Sequence, residues 1–141
     1  MTWNKGFRGY ISSRPFFGER TAQHVQNLVI RDYARRRSLP LLLSATEYTM
    51  TGCTMILEQL LDDLPNLDGI ICFSLFMLPH RLERRQRVWT RLLDAGCCLH
   101  AAHEGLVVAN ARDVARIEDI WLVKRLLPHC PTVLPSQTCS N

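Results

Sequence analysis

Two serines and an arginine follow one another near the start of the chain, at the end of a short apolar segment. They are Ser12, Ser13 and Arg14, and Pro15 and Gly18 then break the segment. Hydroxyls and a guanidinium beside the start of a helix are well suited to bind a phosphate or a carboxylate. The stretch therefore predicts an anion-binding loop, with an ordinary polar loop carrying a surface arginine as the alternative.

Strand-like and helix-like segments alternate along the chain, which predicts an α/β fold. The predicted strands and helices are, in chain order, residues 7–12, 19–37, 39–45, 51–64, 69–76, 80–94, 97–102 and 112–127. Right-handed crossovers between such strands predict a three-layer architecture, a four-stranded, mainly parallel sheet flanked by helices. We expect the 39–45 strand to be buried and the 69–76 strand to be central. Residues 1–128 should form this single domain, and residues 129–141 a flexible tail.

Parallel sheets bind ligands beyond the carboxyl ends of their strands, where the strand order reverses. We expect polar side chains from several strand ends to share that crevice. Glu47 is the predicted general acid/base, with Ser12 and His24 as further candidate catalytic residues. The alternative for Glu47 is an ion pair with Arg14 or Arg20 that only holds the loops, and for His24 a surface hydrogen bond. The candidate substrate-binding residues are Ser13, Arg14, Glu19, Arg20, Gln23, Tyr48, Ser74, His103 and Glu104.

The cysteines and histidines do not have the spacing of a metal site. No CxxC pair occurs, and Cys98 and His100 are two potential ligands on one strand face without a third close in sequence. Neither GxGxxG nor GxxxxGK[ST] is present. We therefore predict no metal and no cofactor. Cys53, Cys72 and Cys97 also lie in apolar segments, which favours reduced thiols.

The composition is that of a globular protein, with 47% hydrophobic and 21% charged residues among 141. The net charge is +4, and basic residues cluster at 31–37 and 81–91. Apolar residues at helical spacing interrupt both clusters, so each is predicted to be a solvated helix face, with a nucleic-acid-binding stripe as the alternative. Without a secretory signal or an apolar run approaching the roughly 18 residues of a membrane span, we expect a cytoplasmic protein.

The last predicted helix, residues 112–127, has almost no polar face around Ile120, Trp121, Leu122 and Val123. A helix that is apolar all round is buried on all sides, which a four-stranded domain rarely arranges alone. We predict that this helix packs against a second copy and forms a homodimer or higher oligomer. A groove of its own sheet is the alternative.

The segment Gly9-Tyr-Ile-Ser-Ser-Arg14, Gln23 in the first helix and Leu75-Phe-Met-Leu78 after the third strand resemble the catalytic domain of serine recombinases, the resolvases and invertases. The resemblance covers most of residues 7–127. It implies a resolvase-like fold whose long last helix mediates dimerisation in that family.

Two departures separate this chain from the recombinase motifs. Aligned on Tyr10, the family's Tyr-x-Arg-Val-Ser motif puts Ser12 at the arginine and Arg14 at the nucleophilic serine. The family's Leu-Asp-Arg-Leu-x-Arg motif falls on residues 75–80, which lack the acid and both arginines. Phosphoryl transfer on DNA needs the nucleophile and the arginines together. The resemblance therefore implies the scaffold without active recombinase chemistry.

The chain is also similar to a small bacterial family found sporadically in gene clusters for carbohydrate and polysaccharide biosynthesis. The similar segments span the domain: residues 9–14, 18–20, 23–27, 44–48, 57–59, 67–70, 74–76 and 78–79. This similarity implies a context, sugar metabolism, and not a reaction.

We therefore expect a small cytosolic enzyme of carbohydrate or sugar-containing metabolite biosynthesis. It would bind an anionic sugar (a phosphate, an acid or a nucleotide sugar) and carry out isomerisation, epimerisation or dehydration. The first alternative is a non-catalytic partner of another sugar-pathway enzyme. The second is a DNA-binding remnant of the recombinase scaffold.

Overall fold

The computed structural model describes residues 5–18, 20–50 and 52–129. Within these ranges the strands are β1 (Phe7–Ser12), β2 (Leu41–Glu47), β3 (Gly69–Cys72), β4 (Cys98–Ala101) and β5 (Leu106–Val108). The α-helices are α1 (Gln23–Arg36), α2 (Met55–Asp62), α3 (Leu82–Asp94) and α4 (Ala111–Leu126). The predicted tail lies outside the described residues except for His129, so its flexibility stays a prediction.

The sheet has the strand order β2-β1-β3-β4-β5. The first four strands run parallel, and β5 pairs antiparallel with β4. The predicted α/β class is confirmed, but the predicted four-stranded sheet is wrong. Residues 106–108 form a fifth strand, which is too short to show a period-2 pattern. Gly105, with a φ of +69°, allows the tight turn between β4 and β5.

Helices cover both faces of the sheet. The right-handed crossover rule places α1 on one face and α2 and α3 on the other, because the chain moves in opposite directions from β1 to β2 and from β2 to β3. The side-chain contacts agree with this placement. Tyr33 of α1 bonds His100 of β4, while Arg91 of α3 bonds Glu58 of α2.

The core is centred on β1 and β3, and the predicted central position of the third strand is confirmed. Tyr10, Ile70 and Ile71 have no exposed surface. Gly69 permits the close pairing of β3 and β4, since a Cβ atom there would lie 2.0 Å from the carbonyl oxygen of Cys98. These buried strands hold their carboxyl ends in fixed positions.

The second strand is an edge strand, which corrects the prediction that it is buried. No strand of the described sheet pairs on the outer side of β2, and Leu43 is 81% exposed. The first helix begins at Gln23 and not at Glu19. Phe17 and Gly18 adopt left-handed backbone, with φ of 51° and 77°, which keeps the chain out of the helix there. Glu19 itself lies outside the described residues.

The last helix is not apolar all round, which corrects the prediction made for it. Ile117 and Trp121 are its buried residues, whereas Arg112, Arg116 and Arg125 are exposed. One side packs on α3 and the rest faces outward in the single chain. Among the described residues no helix is both long and apolar enough to cross a membrane.

Candidate functional site

A cavity of about 430 Å³ opens where β1, β2 and β3 end. It lies where the strand order reverses, which is the usual ligand position in an open α/β sheet. The lining residues come from the segments after these strands: Ser12, Arg14, Pro15, Phe16, Thr49, Gly52, Thr54, Met77, Leu78, Pro79, His80, Arg81 and Arg84. We call this space the strand-end cavity. Of the predicted site residues, Ser12 and Arg14 line it.

Arg14 is held in place through one of its terminal nitrogens. Nη1 donates to the carbonyl oxygens of Tyr48, Met50 and Cys53, at 3.3, 3.2 and 2.6 Å. Its Nε and Nη2 atoms form no hydrogen bond or ion pair with the described part of the chain. The guanidinium is therefore fixed in orientation while it keeps donors available for a ligand.

Two more arginines reach the strand-end cavity from the start of α3. Arg84 donates to the carbonyl of Gly52 at 3.4 Å, and Arg81 has no ion-pair partner among the described residues. No described aspartate or glutamate lines the cavity. Glu83, which is also near the start of α3, lies on another surface with Arg87. Three guanidiniums without a facing carboxylate create a positive potential suited to an anion.

His80 lines the same cavity and was missed by the sequence analysis. Its Nε2 atom lies 3.2 Å from the carbonyl oxygen of Phe76. Because a carbonyl only accepts, this contact assigns the proton to Nε2 and a lone pair to Nδ1. Desolvation lowers the pKa of His80, the hydrogen bond to Phe76 partly opposes this, and the charges of Arg85, Arg14 and Arg125 lower it further. The lowered pKa favours the neutral ring, whose Nδ1 lone pair is able to accept a proton. The available signal was its place just after the third strand.

Glu47 is buried beneath the cavity, with 2% of its surface exposed. Its carboxylate accepts from the Tyr10 hydroxyl at 2.7 Å and from the amides of Ile56 and Leu57 at 3.1 Å. Burial, reinforced by the bond to Glu47, raises the pKa of Tyr10, so the hydroxyl stays a donor. Glu47 thus caps the N-terminus of α2.

The capping arrangement leaves little of Glu47 for chemistry. Its second oxygen also accepts from the Tyr48 amide at 3.2 Å and lies 3.6 Å from the Cys53 sulfur. In the described structure Glu47 forms no ion pair with Arg14 or Arg20, so the alternative proposed for it is wrong. The geometry favours a structural role over the predicted acid/base role.

Gln26 fixes the end of β1 and was also missed. This side chain has no exposed surface; its amide nitrogen donates to the carbonyls of Ser12 and Thr21, and its oxygen accepts from the Ser12 amide. The Ser12 hydroxyl, 1% exposed, accepts from the Arg14 amide at 3.2 Å. Gln26, and not the predicted Gln23, therefore holds the end of β1.

The predicted residues after β3 and β4 bind each other and do not line the strand-end cavity. Ser74 donates to Glu104 at 2.7 Å, and the amide of Leu75 donates to Glu104 at 2.9 Å. His103 is exposed and lies against the Phe73 ring, with centroids 5.4 Å apart. These contacts fasten the β4–β5 turn to the segment after β3.

The other predicted residues lie outside the cavity lining. Arg20 donates to the carbonyl of Ser13 at 3.2 Å, and Tyr48 is 50% exposed. Gln23 and His24 lie in the first turn of α1, where His24 is exposed. None of these side chains contributes to the lining of the strand-end cavity.

Arg85 holds the cavity wall to α4. It is 2% exposed, and Nη1 donates to the carbonyls of Pro79 and His80 at 3.1 Å each. Its other nitrogens donate to both oxygens of Glu118 at 2.8 and 2.6 Å, and its guanidinium stacks over Trp121 at 4.2 Å. Burial raises the pKa of Glu118, but the hydrogen bonds from Arg85 and Trp89 outweigh this effect and hold the pKa below its ordinary value.

Cys98 and His100 share a strand face as predicted, with Sγ and Nε2 3.6 Å apart. The Tyr33 hydroxyl lies 2.7 Å from His100 Nδ1, and burial lowers the pKa of His100 to about 4. Within the described residues there is no group of three or more side chains able to hold a metal, and the cysteines Cys53, Cys72, Cys97 and Cys98 are free. This cluster has the character of a core network.

The fold is that of serine recombinase catalytic domains. The chain is similar to a resolvase family site-specific recombinase from Streptococcus pneumoniae, with a TM-score of 0.60 and 10% identity over 87% of this chain and 91% of that one. It is also similar to the N-terminal catalytic domain of TP901-1 integrase, with a TM-score of 0.58 and 12% identity over 86% and 97%. At these identities the likeness is one of fold alone.

No protein-family model matches the chain, and no curated protein matches it. The resolvase-like scaffold expected from the sequence is confirmed. The similarity to the carbohydrate-cluster family gains no support from these comparisons.

Proposed function

We propose that the protein is a small enzyme that binds an anionic sugar derivative in the strand-end cavity and carries out acid/base chemistry on it. The observation that carries this proposal is the set of three arginines and a histidine around a cavity with no described carboxylate in its lining. Arg14, Arg81 and Arg84 bind the phosphate or carboxylate of the ligand. The sugar class rests on the sequence resemblance.

His80 supplies the proton-transfer group. Its Nδ1 lone pair accepts a proton from a carbon or hydroxyl of the bound sugar. In isomerisation or epimerisation the protonated His80 exchanges with solvent and returns a proton to the substrate, and in dehydration the proton leaves with the departing hydroxide as water. Each of these reactions balances without a redox partner.

The binding half of the proposal is tested by isothermal titration with sugar phosphates, sugar acids and nucleotide sugars. Arg84→Gln should weaken the binding of an active ligand at least tenfold, since it removes one charge-assisted contact. Arg87→Gln removes the same charge one turn further along α3, outside the cavity, and should leave the affinity unchanged. The proposal is wrong if no anionic sugar derivative binds at millimolar concentration.

The catalytic half is tested with a ligand found by that titration. His80→Asn should retain binding and lose hydrogen–deuterium exchange from solvent into the sugar. Retained exchange in this variant would assign the proton transfer to another group.

A second candidate function is binding of duplex DNA, favoured by the fold of two proteins described as a recombinase and an integrase and by the same arginines. It predicts an affinity that falls steeply between low and moderate salt. Fluorescence anisotropy with a random duplex measures this. Binding that is weak even at low salt would exclude it.

A further inference from the structure

The lining of the strand-end cavity combines two chemically different sets of residues. One set is the three arginines described above. The other set is apolar and consists of Pro15, Phe16, Met77, Leu78 and Pro79. A volume of about 430 Å³ fits a small organic ligand of more than one chemical group.

The lining offers few partners for sugar hydroxyls. Among the described residues no carboxylate and no carboxamide lines the cavity, and the Ser12 hydroxyl already accepts from Arg14. Thr49 and Thr54 are the remaining hydroxyl-bearing residues. Burying a hydroxyl without a hydrogen-bond partner is unfavourable, because the group loses its hydrogen bonds to water. A hexose ring placed among the apolar residues would bury several such groups, so the sugar ring is better placed at the mouth of the cavity.

A nucleobase suits the apolar side, because every base presents an apolar face that stacks on flat side chains. Pro15 and Phe16 follow Arg14 directly and line the same cavity. A phosphate bound to Arg14 would therefore lie close to these two apolar residues. The start of α3, whose cap residue Arg81 makes no side-chain capping bond, adds partial positive charge for phosphates.

We propose that the strand-end cavity binds the nucleoside diphosphate part of a nucleotide sugar. The diphosphate lies on Arg14, Arg81 and Arg84, the base lies against Phe16 and its neighbours, and the sugar extends to the mouth near His80. This inference rests on the proposed function and narrows its ligand to one class.

The test compares dissociation constants for ADP, GDP, CDP, UDP and TDP with those for pyrophosphate, the free nucleosides and glucose 1-phosphate. At least one nucleoside diphosphate should bind ten times more tightly than pyrophosphate and its own nucleoside. Phe16→Ala should remove this advantage and leave the pyrophosphate affinity unchanged. Arg84→Gln should weaken both, and Arg87→Gln neither.

The outcomes separate the two proposals. If glucose 1-phosphate binds and no nucleoside diphosphate exceeds pyrophosphate, the present inference is overturned and the proposed function stands. If no phosphate compound binds, the present inference is overturned, and the titration with sugar acids then decides the proposed function. Circular dichroism of Phe16→Ala checks its folding, and should that variant be unfolded, the ligand comparison on the parent protein decides the question.

Discussion

At the scale of single residues, the same sheet edge holds two charges in opposite ways. The carboxylate of Glu47 accepts hydrogen bonds from Tyr10 and from the start of α2, so its oxygens are occupied inside the protein. Arg14 is fixed through Nη1 only, so its charge remains available at the strand-end cavity. The carboxylate stabilises the fold, and the guanidinium serves the site.

The Glu47→Gln variant should be destabilised by about 1–3 kcal/mol, because an amide nitrogen cannot accept from backbone N–H groups and leaves buried donors unpaired. Urea denaturation measures the loss. The control is Glu58→Gln on α2, the helix that Glu47 caps, because the half-exposed ion pair of Glu58 with Arg91 contributes little. Equal stability of the Glu47→Gln variant and the parent would show that the cap is unimportant.

His100 should make the stability of the protein depend on pH. Burial lowers its pKa from 6.5 to about 4, so between these values the unfolded chain binds a proton that the folded chain does not. The contribution of His100 to the free energy of unfolding should therefore be at its maximum above pH 6.5. It should decrease by up to about 3 kcal/mol as the pH drops to 4. Urea titrations across this range measure the slope.

Two variants distinguish the burial of His100 from its hydrogen bond to Tyr33 as the cause of this pH dependence. His100→Gln cannot titrate and should lose this part of the slope, while the smaller part from His80 remains. Tyr33→Phe removes the hydrogen bond but keeps the burial, so most of the slope should persist. A slope that His100→Gln leaves intact would assign it to other groups.

At the scale of elements, α3 and α4 are joined through one buried ion pair. Arg85 of α3 bonds Glu118 of α4 and the carbonyls at the cavity wall, and Trp89 donates to the same carboxylate at 2.8 Å. The position of residues 79–81 therefore depends on the packing of α4.

Removing Glu118 should destabilise the protein strongly, because it leaves the buried Arg85 charge unpaired. We expect Glu118→Ala to lower the free energy of unfolding by about 3–5 kcal/mol. The double variant Arg85→Met/Glu118→Leu should lose much less than the sum of the single variants. Additive losses in chemical denaturation would show that the two side chains are not coupled.

At the scale of the whole molecule, α4 presents apolar side chains to solvent in the single chain. Leu122, Val123 and Leu127 are 55–57% exposed and lie beside an apolar depression that includes Phe76. The homodimer predicted from the sequence stays a prediction, and so does the alternative of a non-catalytic scaffold. This surface is where either partner would be expected to dock.

Analytical ultracentrifugation should find a dimer that Val123→Glu/Leu127→Glu dissociates, since two buried carboxylates would face apolar surface. Leu28→Glu places a carboxylate on the exposed side of α1 and should leave the dimer intact. A parent protein that remains monomeric at 100 μM, roughly the range of transient interfaces, would remove the self-association prediction.

The sequence determined the elements with strong periodicity. A continuous apolar run predicted β3, and the 3.6-residue spacing predicted the body of α3, because these patterns report burial directly. Ser12, Ser13 and Arg14 at the end of the first strand also predicted an anion-binding loop. Short or irregular segments could not be predicted in this way. The strand β5 has only three residues, and the left-handed backbone at Phe17 lies within the segment that was predicted to lead directly into α1.

Only the tertiary structure decided which polar groups face the strand-end cavity. Glu47 and Arg14 looked alike in sequence as strand-end charges, yet donors from β1 and from the start of α2 enclose Glu47. Arg81 and Arg84 looked like a solvated helix face, and His80 like a helix start. These three residues line the cavity because of the direction that the chain takes between the end of β3 and the start of α3. The periodicity of the sequence contains no information about that direction.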